Sequence, residues 1–493
     1  MLDLQPYILA VDVGTSSLKA VVYDRAGGVM ASATQRYPTS DQNLPAGWAE
    51  ADPHEWWNAL QTTVEELKSS FSGFSAIQAV ILTGQMHTTV LLDENGEVLP
   101  PTILWLDRRA VLETVELQQA FRMPPYQLNS TYSLPKLVWL ARQQPEVIKK
   151  TCHILWAKDY LRFRLTGEYL TDFTEAGGAA LLDWDRMAWA SERLEWTGIS
   201  PSILPPLSQP TDLAGRLRPE LAHRWGFNPN VKVLVGAGDV LALVTAAPRA
   251  EGQVTCSIGS SSMVYYPLSS GQEKHDPQER IYIYPLLPYR LLGGVSSTSG
   301  AAITWAATTF FDGQPFETAI TAALKAAPGA GGLFFLPFLS GERSPYWSDT
   351  LRGSFYGLTL KHDRQDMLRA VMESVAFSLR YLLEIFHQTS LTITEIALAG
   401  GGATIQGLPS ITSNICQLPV VIYSTEETVT HGLYAYACQA LEDNISFEEA
   451  LLRTFQQSPV RVQPDPGAAK VYDPIYRQYC HLADFANEKL SRI

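Results

Sequence analysis

Histidine is scarce in this chain, at nine of 493 residues. Cysteine is scarcer, and Cys152, Cys256, Cys416, Cys438 and Cys480 are all far apart. No C-x-x-C pair occurs and no zinc spacing can be assembled. An odd number of isolated thiols reads as reduced and mostly buried, as in a cytoplasmic protein. No apolar run approaches the ~20 residues that a membrane helix requires. Met1–Pro6 lacks the basic flank and apolar stretch of a secretory signal, so a cytoplasmic location is expected. Basic residues are in deficit, and a net charge of −13 argues against nucleic acid or an anionic membrane as partner. A small anion gripped by local N–H groups stays open to it. The Walker A pattern Gly-x-x-x-x-Gly-Lys-Ser/Thr is absent.

Apolar residue types make up 46% of the chain and charged types 18%, an ordinary globular balance at a length that favours two domains. Two segments resemble each other. Ile8–Val11 leads into Asp12-Val13-Gly14-Thr15-Ser16-Ser17, and Val254–Cys256 leads into Ser257-Ile258-Gly259-Ser260-Ser261-Ser262. Each reads as strand, small-residue turn, strand. A tip of Gly, Ser and Thr exposes N–H groups and hydroxyls without bulk, which suits a phosphate. One such tip in each half predicts a duplicated architecture with a boundary near 245–253. Strands are expected at about 7–13, 18–24, 29–36, 77–82, 231–235, 252–266 and 393–399. A helix is expected from Asp52-Pro53-His54-Glu55, with Asp as cap and Trp56, Leu60, Val64 and Leu67 on one face. Further helices are expected at about 133–144, 159–165, 301–311, 366–386, 405–416, 431–442 and 471–490. Strands alternating with helices in both halves mean an α/β protein.

Several polar groups fall at strand ends, where α/β sites lie. Asp12 precedes the first tip and is placed to hold Mg²⁺ beside phosphates; alone it also reads as a turn aspartate bonded to its own backbone. Asp239, after Gly236-Ala237-Gly238 and before an apolar helix, has the placement of a general base and equally that of a helix cap. Gly400-Gly401-Gly402-Ala403 lies between strand and helix, where a flat ligand can approach the backbone, or where the chain simply turns tightly. Gln85-Met86-His87 and Trp105-Leu106-Asp107 offer hydroxyl partners and an aromatic wall, as a sugar requires. Gly341-Glu342-Arg343 reads as a turn with a structural ion pair.

Two longer stretches give these pieces a common frame. Gly353-Ser-Phe-Tyr-Gly357-Leu358, Asp366-Met367 and Ala370-Val371-Met372-Glu373 match throughout the second signature of the FGGY family of carbohydrate kinases. Ser133-Leu-Pro-Lys136-Leu137-Val-Trp139-Leu140-Ala-Arg142-Gln143 matches the first, with Thr131 as the one departure. The chain resembles this family, within the actin/hexokinase superfamily, from about residue 7 to about 485. The resemblance implies an α/β fold of two actin/hexokinase-like (ribonuclease H-like) domains around a central cleft, residues 1–248 with the sugar and base and 249–493 with the nucleotide. It implies ATP and Mg²⁺, with Asp12 near the metal and Gly14, Thr15 and Ser16 on phosphate. Gly259 and Ser260 would take phosphate as well, and Gly400, Gly401, Gly402 and Ala403 would flank adenosine. Asp239 would be the base, and Gln85, Met86, His87, Trp105, Asp107 and Asp239 would contact the sugar. Two departures stand out: Ser262 where the second phosphate loop usually has Gly, and Val240 where kinases of xylulose carry Asn. The segments 85–87, 103–107, 156–162 and 171–172 resemble family members acting on xylulose, whereas 335–358 is closer to those acting on gluconate. A pentulose, D-xylulose first, is the expected acceptor, with gluconate and D-ribulose as alternatives and a homodimer admitted. A non-catalytic sugar or nucleotide sensor on the same fold is the alternative of a different class.

Overall fold

Six of the seven residues of Tyr7–Val13 are apolar, and all but Tyr7 and Asp12 are buried. A strand that is apolar on both faces belongs at the centre of a covered sheet. The computed structural model places it there. It describes residues 7–490 except 39–43, 46, 126, 246, 248, 249, 269–273, 275, 287, 288, 349, 424–427, 443, 456 and 457. The N-terminal hexapeptide, and Pro248 and Arg249 of the expected boundary, lie outside the described residues.

The first sheet runs, edge to edge, Leu213–Arg216, Lys232–Leu234, Ile77–Gly84, Tyr7–Val13, Ser17–Tyr23, Val29–Arg36, and Ala237–Gly238 also pairs with the Ile77 strand. The second runs Tyr282–Leu286, Tyr289–Ser296, Ser262–Leu268, Gln253–Ile258, Glu395–Ala399, Val420–Ile422, Val460–Val462. Each contains the same succession. An antiparallel hairpin carries the phosphate-loop candidate at its tip, and its first strand lies parallel to a later strand. A second parallel strand and an antiparallel edge strand complete the pattern. The duplication read from two short segments therefore extends to sheet topology. Each unit is built on a mixed sheet with helices, as the resemblance implies.

The chain divides into two compact units, one of Met1–Thr245, Pro285–Leu287 and Glu427–Gln456, the other of Ala246–Tyr284, Pro288–Glu426 and Gln457–Ile493. The return of Glu427–Gln456 to the first unit is not anticipated by a single division at 248/249. Its contacts are specific: Tyr23 and Thr430 share a hydroxyl hydrogen bond of 2.7 Å, and the Tyr434 hydroxyl donates to the Arg25 carbonyl at 2.7 Å.

Asp52 caps the helix Pro53–Ser70, accepting from the His54 N–H at 2.9 Å. Its Trp56, Leu60, Val64 and Leu67 pack on Leu9, Val11, Leu18 and Val22 of the first sheet. In the second unit Asp363 and Asp366 form a reciprocal cap on Arg364–Gln388, which buries Leu368, Val371, Val375 and Leu379 against Val254, Cys256 and Val264. A smaller core of Leu91, Ile103, Leu134, Leu137, Ile154 and Trp156 lies under the loops that carry residues 85–87 and 105–107. Among the described residues no helix is long and apolar enough to cross a membrane.

Candidate active site

Three parallel strands of the first unit end side by side. Asp12 lies opposite Thr83 and Val13 opposite Gly84, while Ala237 and Gly238 lie opposite the same two residues on the other flank. This register brings Asp12, Gln85 and Asp239 to one carboxyl edge. Backbone bonds fix it: the Gln85 N–H donates to the Val13 carbonyl at 2.9 Å and the Asp239 N–H to the Gly84 carbonyl at 3.0 Å. Both acids are partly exposed at the end of a dry sheet. Burial pushes the Asp12 carboxyl up to about 6, opposed by the Lys19 ammonium across the hairpin. Burial and then the negative charge of Asp12 push Asp239 up to about 7, while the N–H groups of Met86 and Val240 pull the other way. The negative charge of Asp12 thus adds to burial in holding the proton on Asp239.

The first tip is braced from three directions. The Gly14 N–H donates to the Ser17 carbonyl at 2.9 Å, and the Gln85 amide and Tyr37 hydroxyl both donate to the Gly14 carbonyl. The Trp105 indole N–H donates to the Thr15 hydroxyl at 3.0 Å, and the Trp105 N–H to the Thr88 hydroxyl at 3.2 Å. Trp105 thus links the phosphate-loop candidate to the sugar-wall candidate. Gln85 and Met86 are buried at 1% and 3% exposure, so these two form wall more than rim. His87 takes a left-handed backbone (φ 68°), and its Nδ1 pairs with the Gly178 carbonyl. Burial and the nearby Lys136 ammonium pull the imidazole down to about 4, so it is neutral at physiological pH. Asp107 is different. Its fully buried carboxylate accepts from the Ala49 N–H at 2.5 Å and the Arg109 N–H at 2.8 Å, and pairs with the Arg109 guanidinium at 2.8 Å. Those contacts brace the loop after Trp105 and occupy both carboxylate oxygens.

In the second unit the tip Gly259–Ser261 is exposed at Gly259 and Ser260. The Gly259 N–H donates to the Ser261 carbonyl at 2.8 Å. Behind it, the start of helix Gly300–Phe310 donates to the loop: Ser299 N–H to the Ser260 carbonyl at 2.8 Å and Gly300 N–H to the Gly259 carbonyl at 3.0 Å. Ser262 accepts from the Ser299 hydroxyl at 3.0 Å, which gives the departure from Gly a physical role in tying the hairpin to that helix. Ser299 and Gly300 lie outside the sequence-based expectation, although Ser-Gly before an apolar helical run is a visible signal. Gly400–Ala403 turns beside the same strand end, since Ser257 lies opposite Ala399. Gly400 has φ 75°, and a Cβ there would sit 2.6 Å from the Ile258 carbonyl oxygen; at Gly402 it would sit 2.4 Å from the Ile258 Cβ. These two positions require glycine so that the turn can lie on the strand. Glu342 accepts from the Ser296 hydroxyl at 2.9 Å and from the N–H groups of Ser297 and Arg343 at 2.6 and 2.8 Å, and burial pushes it up to about 7.

Residues 7–245 match the N-terminal domain of the FGGY family of carbohydrate kinases, and residues 254–441 match its C-terminal domain. The chain belongs to this family. It is 32% identical over 419 residues to the xylulose kinase of Bacillus subtilis (strain 168), covering 80% of this chain and 81% of that one. A gluconate kinase from Lactobacillus acidophilus superimposes with a TM-score of 0.90 at 29% identity, covering 98% of this chain and 99% of the other. A ligand-bound xylulose kinase from the same organism gives the same score, identity and coverage. As an FGGY kinase the chain is an ATP-dependent sugar kinase, a phosphotransferase with an alcohol as acceptor and ATP as donor substrate.

Proposed function

We propose that this kinase phosphorylates a pentulose, D-xylulose in the first instance, and that Asp239 is its general base. The observation that carries the base assignment is the shared strand edge of Asp12 and Asp239, where burial and the charge of Asp12 raise the Asp239 carboxyl. Asp239 takes the proton of the acceptor hydroxyl as that oxygen attacks the γ-phosphorus, and ADP departs with the electron pair of the broken bond. A base poised near neutral pH suits this step, and the remaining catalysis is positioning and charge stabilisation. The N–H groups and hydroxyls of Gly14, Thr15 and Ser16, and in the second unit those of Gly259 and Ser260, are the phosphate contacts of this reading. Gly400, Gly401, Gly402 and Ala403 are its adenosine contacts.

The residues at the strand edge fit Mg²⁺. The acid at Asp12 is a hard oxygen donor, and its charge destabilises that of Asp239 until a cation relieves it. When bound there, held by Asp12, the ion would offset phosphate charge.

Gln85, Met86, His87 and Trp105 are the sugar contacts in this reading, with Asp107 bracing their loop. The segments 85–87 and 103–107, which resemble family members acting on xylulose, favour a ketose over gluconate. The relative named xylulose kinase supports the same choice. ADP release measured across D-xylulose, D-ribulose, gluconate and glycerol tests it. The highest kcat/KM is expected with D-xylulose; turnover with gluconate alone would overturn the acceptor. Sugar binding without sugar-dependent ADP release would establish the sensor alternative instead.

Trp105 offers a second test. Trp105→Phe keeps the aromatic wall and removes the donor to Thr15. Losing one neutral hydrogen bond is worth about 0.5–1.5 kcal/mol, so the variant should be less stable by about that much and kcat/KM for ATP should fall roughly 2- to 10-fold as Thr15 is freed. An unaltered kcat/KM for ATP would detach Thr15 from the phosphate.

A further inference from the structure

The short helix Phe173–Gly178 runs behind the catalytic edge of the first unit. At one end the Thr174 hydroxyl accepts from the Gly238 N–H at 2.8 Å, one residue before Asp239; at the other the Gly178 carbonyl pairs with His87. Asp172 caps it, accepting from the Thr174 N–H at 2.7 Å. Between these two ends Glu175 is 0% exposed, and neither of its carboxyl oxygens has a hydrogen-bond partner. A buried polar side chain left bare in this way is uncommon and calls for a reason.

Charge balance supplies one. Beside Glu175 lies a cluster with no exposure at all: the Lys158 ammonium is 2.5 Å from Asp159 and 2.8 Å from Asp172, and the Arg162 guanidinium is 2.7 Å from Asp159. Arg162 also donates to the Val235 carbonyl at 2.9 Å and to the Leu170 carbonyl. Two cations face two anions, and Glu175 is the acid left over. Other titratable groups near this helix, among the described residues, include Asp183, His87 with Lys136 beside it, and Asp239. Asp183 is occupied by the N–H groups of Asp185 and Arg186 at 3.1 Å each, and His87 is neutral. Burial raises the Glu175 carboxyl well above the ordinary range; Lys158, already shared with Asp159 and Asp172, opposes this, and Asp159, Asp172 and Asp239 add to it.

We propose that Glu175 is a positioning acid for Asp239: it stays a neutral carboxyl in the working enzyme, supporting the helix behind the base without adding a second anion, and its ionisation sets the alkaline limit of turnover. The inference rests on the reading of Asp239 as the base. Loss of the Glu175 proton to solvent at high pH puts an added charge beside Thr174 and Gly178, the two contacts through which the helix holds Gly238, next to Asp239, and His87.

The test has two arms on the intact enzyme. Infrared difference spectra between the parent and Glu175→Gln should lose a protonated-carboxyl band at neutral pH; loss of a carboxylate band instead overturns the proposal. The pH at which that band disappears in the parent should fall in Asp239→Asn, since a like charge is removed, and an unmoved midpoint overturns the coupling. Neither measurement needs catalysis, so both stand if the kinase reading fails. For turnover, Glu175→Gln should leave the acid limb of kcat/KM in place and move the alkaline limb up by roughly one pH unit or more. Coincident limbs, or a uniform loss at every pH, would reduce Glu175 to a structural residue.

Discussion

Replacing Asp239 by asparagine is expected to lower kcat for sugar phosphorylation by about 10²- to 10⁴-fold and, above neutral pH, to make the folded protein more stable. The two effects share one origin. Asp239 is held at about 7 by burial and by Asp12, whereas an unfolded chain releases that proton near the ordinary aspartate value. Between those two pH values the folded state binds more protons than the unfolded state, so this group makes stability fall as pH rises. The deficit is absent below the unfolded value and complete above about 7. Asparagine does not titrate and retains an oxygen for the Met86 and Val240 N–H groups. A tenfold change in proton affinity is worth about 1.4 kcal/mol, so the gain at alkaline pH is on the order of 1–3 kcal/mol for a partly exposed group. Urea midpoints of parent and variant should diverge as pH rises and converge near pH 4. In the ligand-free enzyme the acid limb of kcat/KM should fall near the value at which Asp239 loses its proton. A variant that keeps parental turnover would remove Asp239 from the chemistry, and one whose midpoint never exceeds the parent's would remove the strain argument.

The same edge illustrates what is legible in a sequence. Asp12, Gly14 and Asp239 stand beside apolar runs that end in glycine and small residues, a pattern that marks a strand end before any coordinates exist. The helix at Asp52-Pro53 is legible for the same local reason, since cap and first turn are adjacent residues. Glu175 carries no such mark. Only packing reveals that Lys158 and Arg162 are already paired with Asp159 and Asp172. Asp107 shows the converse: its place after Trp105 suggests a sugar ligand, but the partner that occupies it is two residues on, and Ala49 lies far away in sequence. The return of Glu427–Gln456 to the first unit is hidden too, because an amphipathic helix shows which face is buried and not which sheet buries it. Local signals gave the chemistry of the strand ends; non-local packing decided which acids are free to act.

Gly236→Ala is expected to cost at least about 3 kcal/mol of stability, the largest structural effect of any single methyl at this edge. Val233 lies opposite Val80 and Ala237 opposite Thr83, so the chain takes four steps where the Ile77 strand takes three. The surplus residue is absorbed at Gly236, whose φ is +71°. This is a bulge, and a bulge re-aims the strand beyond it: here it delivers Gly238 opposite Gly84 and Asp239 to the strand edge. A Cβ at Gly236 would stand 1.9 Å from the Leu82 carbonyl oxygen, a backbone atom within the sheet that no rotamer change can move. Gly198 is the control, because its φ is +65° but nothing lies within 4 Å of its added Cβ. Gly198→Ala should therefore cost only the left-handed strain of about 1–2 kcal/mol. Urea unfolding of the two variants separates conformational strain from the clash. Folded Gly236→Ala that survives should also lose turnover, since relieving the clash displaces the residue three positions on, which is Asp239. Equal losses of stability at the two glycines, with turnover intact, would show that the bulge does not aim the base.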